Sequence, residues 1–236
     1  MSGAKPQQHM YELTSRGTAQ RVTLAVLLAA WLALAWWLLF GGGIVLLSNR
    51  LGMEWNLAEP LRRALLGAAF TVYFVRVLFT VFAFLRRGMG WAETFTIAPW
   101  VLCVVLLLTV TGSTNTHALG AAAAAGAALF VLGSWMNTFA EFQRHRWKQR
   151  PENRGQLYTL GLFRFSRHPN YLGDLLSFSG TCLLAGRWIT AVVPVLMLCG
   201  FVFVNIPALD AHLRERYGAA FERYARTTRK LIPFLY

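Results

Sequence analysis

The chain is poor in acidic residues: ten aspartates and glutamates stand against 23 lysines and arginines, for a formal net charge of +13. It is also short of charge altogether, at 14% against the roughly 25% of a soluble domain. A soluble globular fold is therefore excluded. Cysteine is scarce, and Cys103, Cys182 and Cys199 all lie in apolar stretches without paired spacing. That excludes a disulfide framework and a zinc site, and predicts three small buried hydrophobes. No GxGxxG follows the one run of glycines, Gly41 to Gly43, so that run predicts a kink or a close helix approach rather than a nucleotide loop.

Apolar residues make up 56% of the 236 positions, and they come in membrane-length runs. Met1 to Arg21 is polar; Val22 to Leu47 is too long for a signal peptide and lacks a small-residue cleavage site, so it predicts an anchor. Further spans are predicted over Ala64 to Leu85, Thr94 to Val110 and Leu119 to Ala140, then a hairpin of Tyr171 to Leu184 and Trp188 to Phe203. The fold class is all-α: a polytopic bundle of about six transmembrane helices, or of four with the last two apolar runs as a shallow hairpin. The basic connections fall on one face with both termini, which places termini and site in the cytoplasm. Interleaving of basic residues with spans accounts for the positive charge through lipid or cofactor phosphates, and no nucleic-acid partner is expected.

Several polar residues stand inside these spans. Arg76 lies midway along the second, to be explained by a cavity, a buried ion pair or snorkelling. Ser134, Asn137 and Glu141 follow one helix face and point either to an interior cavity or to a neighbouring helix. Chain after Glu141 is expected to leave the bilayer as a basic loop, broken by Pro151, Asn153 and Gly155.

The densest polar run is GLFRFSRHPNYLGD, residues 161 to 174. Pro169 suits the first turn of a helix and biases His168 away from helical geometry, so a helix begins there. Six hydrogen-bonding side chains entering an apolar segment need partners, and predict a pocket. In the tail from Pro207 to Tyr236, Leu209, Leu213, Tyr217, Phe221 and Tyr224 recur at helical spacing, with arginines between them. This predicts an amphipathic helix interrupted near Gly218.

The run GLFRFSRHPNYLGDLL, with the tail RYGAAFERYARTTRKLIPFLY, resembles the carboxyl-terminal half of integral-membrane steroid 5-alpha-reductases and sterol reductases. Its RHPxYxG core is shared with isoprenylcysteine carboxyl methyltransferases. Asn170, Asp174 and the KLIPF ending are similar to the reductases; the methyltransferases carry paired glutamates in the last helix, where only Asp210 stands here. The resemblance implies an NADPH-dependent reductase delivering hydride to a carbon–carbon double bond of a lipophilic, steroid- or isoprenoid-like substrate drawn from the bilayer. Residues 1–140 would form the substrate cavity and residues 141–236 the cofactor region. Arg154, Arg164, Arg167 and Arg229 would hold the phosphates, Asn170 and Asp174 the nicotinamide, with His168, Tyr171 and Tyr217 beside them. Tyr73 or Glu93 would be the catalytic donor, and no metal is expected. The alternatives are a methyltransferase using S-adenosylmethionine, its adenosine held by His168 and Tyr171, and a non-enzymatic scaffold.

Overall fold

The computed structural model describes residues 17–85 and 87–236; most of the polar leader, residues 1–16, and Arg86 lie outside them. Eight helices are described: α1 Thr18–Phe40, α2 Gly43–Arg50, α3 Pro60–Phe84, α4 Trp91–Ser113, α5 Ala121–Gln149, α6 Pro169–Ala185, α7 Trp188–Tyr217 and α8 Ala219–Thr227. Five of them, α1, α3, α4, α5 and α7, are long and apolar enough to cross a membrane. The protein is a multi-pass membrane protein with an all-helical fold. The fifth expected span, α6, has only 17 residues, a rise of about 26 Å against a hydrocarbon core of about 30 Å.

Successive long helices alternate in direction, so the bundle has two polar ends. At one, Arg62 donates to the carbonyls of Leu184 (2.6 Å) and His117 (2.8 Å). There Asn115 also holds the carbonyl of Ala185 at 2.9 Å. At the other, Arg21 donates to the carbonyl of Arg87 at 2.7 Å, and here α5 ends and α6 begins. The glycine run acts as the expected break: Gly42 is left-handed at φ 83° and separates α1 from α2.

Helices α5 and α6 make the closest crossing. Gly133 faces Gly173 and Gly126 faces Gly180, and a Cβ on any of the four would overlap the opposing backbone. Small residues at this spacing let two helices approach backbone to backbone, where packing and polar bonds hold them without help from water. Ser134 bonds Ser177 at 3.3 Å, and Asn137 donates to the carbonyl of Asn170 at 3.0 Å. The polar stripe thus serves helix contact over its first two members.

Two helix ends and the burial of the cysteines differ from the sequence reading. Helix α5 runs to Gln149 rather than ending near Ala140, because Glu141 to Gln149 holds no helix breaker and Pro151 is the first residue that stops it. It also crosses the expected boundary between residues 140 and 141. Helix α7 continues unbroken past Phe203 to Tyr217; Pro207 sits in the first turn of its last α-helical segment and is tolerated there. Finally, Cys182 is buried but Cys103 and Cys199 are exposed on helix surfaces, where an apolar surround is met by lipid as well as by protein.

Candidate functional site

The start of α6 is fixed by backbone pairing as well as by Pro169. Arg167 N–H donates to the carbonyl of Arg229 (2.8 Å) and His168 N–H to that of Lys230 (3.1 Å), so the chain tail is laced to the foot of this helix. Between α5, α6, α7, α8 and the 150–168 connection lies a cavity of about 520 Å³, in the size range of small-molecule sites. The end of α3, where Phe79–Phe84 widens to a π-helical turn, closes one side.

Two polar clusters stand at its walls, one buried around Asp210 and one in which buried Glu141 meets partly exposed partners. In the first, Asp210 of α7 accepts from Arg167 Nη2 at 2.7 Å and faces His168 Nε2 at 3.0 Å. Arg167 also donates to the carbonyl of Ala225 at 3.2 Å and lies over the Phe221 ring. In the second, Glu141 accepts from Asn170 Nδ2 at 3.0 Å and from Arg144 Nη2 at 2.8 Å. A buried carboxylate persists only when paired and hydrogen-bonded, and Asp210 and Glu141 both meet that condition.

Aromatic rings supply the remaining wall. His168, Tyr171 and Phe201 stack nearly parallel, with centroids 5.3 Å and 4.7 Å apart. Lys148 donates to the Tyr217 hydroxyl at 3.3 Å. Tyr224 donates to the carbonyl of Phe163 at 2.6 Å, and burial pushes its phenol well above the ordinary tyrosine range. Burial raises Tyr158 in the same direction.

Of the residues singled out from sequence, Arg154, Arg167, His168, Asn170, Tyr171 and Tyr217 come together on this cavity. The others do not. Asp174 faces across to α3 and pairs with Arg76 at 2.8 Å, which makes Arg76 a buried ion-pair partner rather than a snorkelling or cavity-lining residue. Arg164 lines a neighbouring open depression, and Arg229 contributes its backbone carbonyl. Tyr73 packs edge-on against Phe178 beside an apolar void of about 20 Å³ among α3, α4, α5 and α6, far less room than a lipophilic substrate needs. Glu93 is held by both terminal nitrogens of Arg87, at 2.8 and 2.6 Å. Among the described residues no cluster has the composition of a metal site.

Sequence reasoning missed Arg144, His145 and Lys148, which extend the Glu141 face of α5 at helical spacing into the cavity. The signal was there, hidden by ending that helix too early. Asp210 was visible as a lone acid among tail arginines, but its two partners lie far away in sequence.

A family described as Protein of unknown function (DUF1295) matches residues 88–228. The chain is 34% identical over 98 residues to the probable O-methyltransferase ustE of Ustilaginoidea virens, covering 40% of this chain and 34% of that protein. It is 32% identical over 84 residues to the probable protein-S-isoprenylcysteine O-methyltransferase of Oryza sativa subsp. indica, covering 36% and 44%. The match to protein-S-isoprenylcysteine O-methyltransferase of Saccharomyces cerevisiae is 29% over 115 residues, covering 47% and 48%. The chain thus spans a third to a half of the length of these curated relatives. Their names overturn the expectation of an NADPH-dependent reductase: these relatives are named as O-methyltransferases, the other group that shares the RHPxYxG core.

Proposed function

For a chain that belongs to the DUF1295 family, whose function is unknown, we propose a membrane methyltransferase that uses S-adenosylmethionine to methylate an oxygen at the polar end of a lipophilic molecule. The observation that carries this reading is the cavity at the foot of α5 and α6, where a carboxylate, an amide, basic groups and aromatic rings converge at one end of the bundle. Residues 141–236 supply most of its walls and act as the cofactor region, while residues 1–140 embed the substrate end. The cavity end, rich in arginine, faces the cytoplasm.

These donors suit the cofactor. Glu141 and Asn170 offer a carboxylate and an amide to ribose hydroxyls and an ammonium group. Arg154 and Lys148 complement a carboxylate. Tyr171, fixed by His168 and Phe201, joins Tyr158 and Tyr217 in a wall for a purine and for a sulfonium charge. When bound, S-adenosylmethionine supplies an electrophilic methyl group; its S–CH3 bond breaks as an O–CH3 bond forms, leaving S-adenosylhomocysteine and, from a carboxylate, a methyl ester.

A carboxylate acceptor is already ionised at neutral pH, so the protein has no proton to remove. Its residues orient the two partners and keep water away. The Asp210 cluster fixes the foot of α6, and with it Asn170 and Tyr171, one turn further on. Tyr73 and Glu93 have no proton-donating role in this chemistry.

The test is transfer of labelled methyl from S-adenosylmethionine by the purified chain in detergent to an isoprenylated cysteine analogue with a free carboxylate. Base-labile methyl ester in the organic phase supports the proposal. Absence of transfer to this and to other lipophilic acids, from a protein that binds the cofactor, overturns the acceptor class.

A further inference from the structure

Beside the cofactor cavity, and sharing with it the wall formed by Gly155, Gln156 and Leu157, lies an open depression of about 810 Å³. Three guanidinium groups line it, those of Arg164, Arg216 and Arg223, with no aspartate or glutamate among its lining residues. Among the described residues neither Arg164 nor Arg223 pairs with a carboxylate. Like charges gathered in one concavity repel one another, and a bound anion relieves the repulsion while using the bidentate geometry of guanidinium.

The surroundings distinguish kinds of anion. Leu160 and Phe165, which flank Arg164 in the chain, are 52% and 53% exposed, and Leu160 adjoins Thr159 of the lining. A soluble anion gains nothing from exposed apolar neighbours. A lipid gains from both parts, since its chains meet these side chains and its headgroup meets the arginines.

From this juxtaposition we infer that the depression lined by Arg164, Arg216 and Arg223 is a binding site for the headgroup of an anionic phospholipid, set at the membrane boundary next to the cofactor cavity. An occupant bridges residues 155–157 and α8, and so steadies a wall common to both cavities. The inference stands independently of the methyl-transfer reading.

It is tested on the full purified chain in nonionic detergent, by thermal unfolding with dioctanoyl phosphatidylglycerol, dioctanoyl phosphatidylcholine or inorganic phosphate. Phosphatidylglycerol is expected to raise the melting temperature saturably, with the other two inert at the same concentrations. The double variant Arg164→Gln/Arg223→Gln is expected to need at least about tenfold more of it, because each basic group near a membrane surface contributes about a factor of five. Equal stabilisation by phosphatidylcholine, equal stabilisation by phosphate, or unchanged half-saturation in the double variant overturns the proposal. Native mass spectrometry of the unmodified chain gives a reading independent of the variant's folding: selective retention of phosphatidylglycerol supports the site, and unselective retention sinks it.

Discussion

Asp210 and Arg167 form an ion pair of 2.7 Å within the protein, tying the tail-proximal half of α7 to the residue that precedes His168 and Pro169. The carboxylate's second oxygen faces His168, so one acid organises two neighbours in the densest polar run of the chain. Removing one partner of a buried pair leaves the other charged and unsatisfied, at a cost of about 3–5 kcal/mol. Asp210→Ala should lower the melting temperature sharply and abolish S-adenosylmethionine binding. Asp210→Asn, which keeps hydrogen-bonding atoms, should lose less of both. Melting curves and a binding titration on the two variants check this.

Buried Arg76 and half-buried Asp174 make a second ion pair, between α3 and α6, and Arg76 leaves Nε and Nη1 without hydrogen-bond partners. Arg76→Leu or Asp174→Leu alone should destabilise by about 3 kcal/mol, whereas the double Leu variant should recover much of that loss. Both single variants, where they fold, should retain cofactor affinity within about threefold, a difference of under about 0.7 kcal/mol. Unfolding of the three variants in detergent measures the coupling, and loss of binding in a folded Asp174→Leu protein would restore that residue to the cofactor site.

The α5–α6 crossing depends on the absence of side chains. Gly173→Ala places a methyl group against the backbone of Asn137 and Gly133, and should cost about 1–3 kcal/mol by forcing the helices apart. Gly200→Ala, at a helical position of α7 with φ −59° and a Cβ that would meet nothing within 4 Å, should be neutral or slightly stabilising. Melting temperatures of the pair check the difference.

Much of the fold was legible because membrane-length apolar runs leave few alternatives, and Pro169 marked a helix start that the structure keeps. Asn170 and Tyr171 line the cavity, in keeping with the rule that polar residues entering such a run demand partners, whereas Tyr217, in the polar tail, was pointed to by the family resemblance and not by its spacing. Asp174 misled: four residues beyond Asn170 it reads as a cavity neighbour, but its partner Arg76 lies on another helix, which local spacing does not reveal. Glu141 to Lys148 was read as a loop because charge was taken for a helix end, although only Pro151 stops the helix.

Tyr224 gives an alkaline signature. Its buried phenol titrates above the ordinary value in the folded protein, while in the unfolded chain it ionises near pH 10. Its contribution to stability is therefore complete below about pH 10 and is lost as pH rises beyond that. Tyr224→Phe should be less stable at neutral pH by about 1–3 kcal/mol, since the Phe163 carbonyl loses its donor. The gap from the unmodified protein should narrow above pH 10, as unfolding followed from pH 8 to 11 would reveal.

The most direct measurement is equilibrium binding of S-adenosylmethionine and of NADPH to the purified chain in mild detergent, alongside Glu141→Ala and Asn170→Ala. Saturable binding of S-adenosylmethionine, displaced by S-adenosylhomocysteine but not by NADPH and weakened at least about tenfold in both variants, is the predicted result. Binding of NADPH without S-adenosylmethionine, or S-adenosylmethionine binding indifferent to both substitutions, would contradict a methyl-donor site at the foot of α5 and α6.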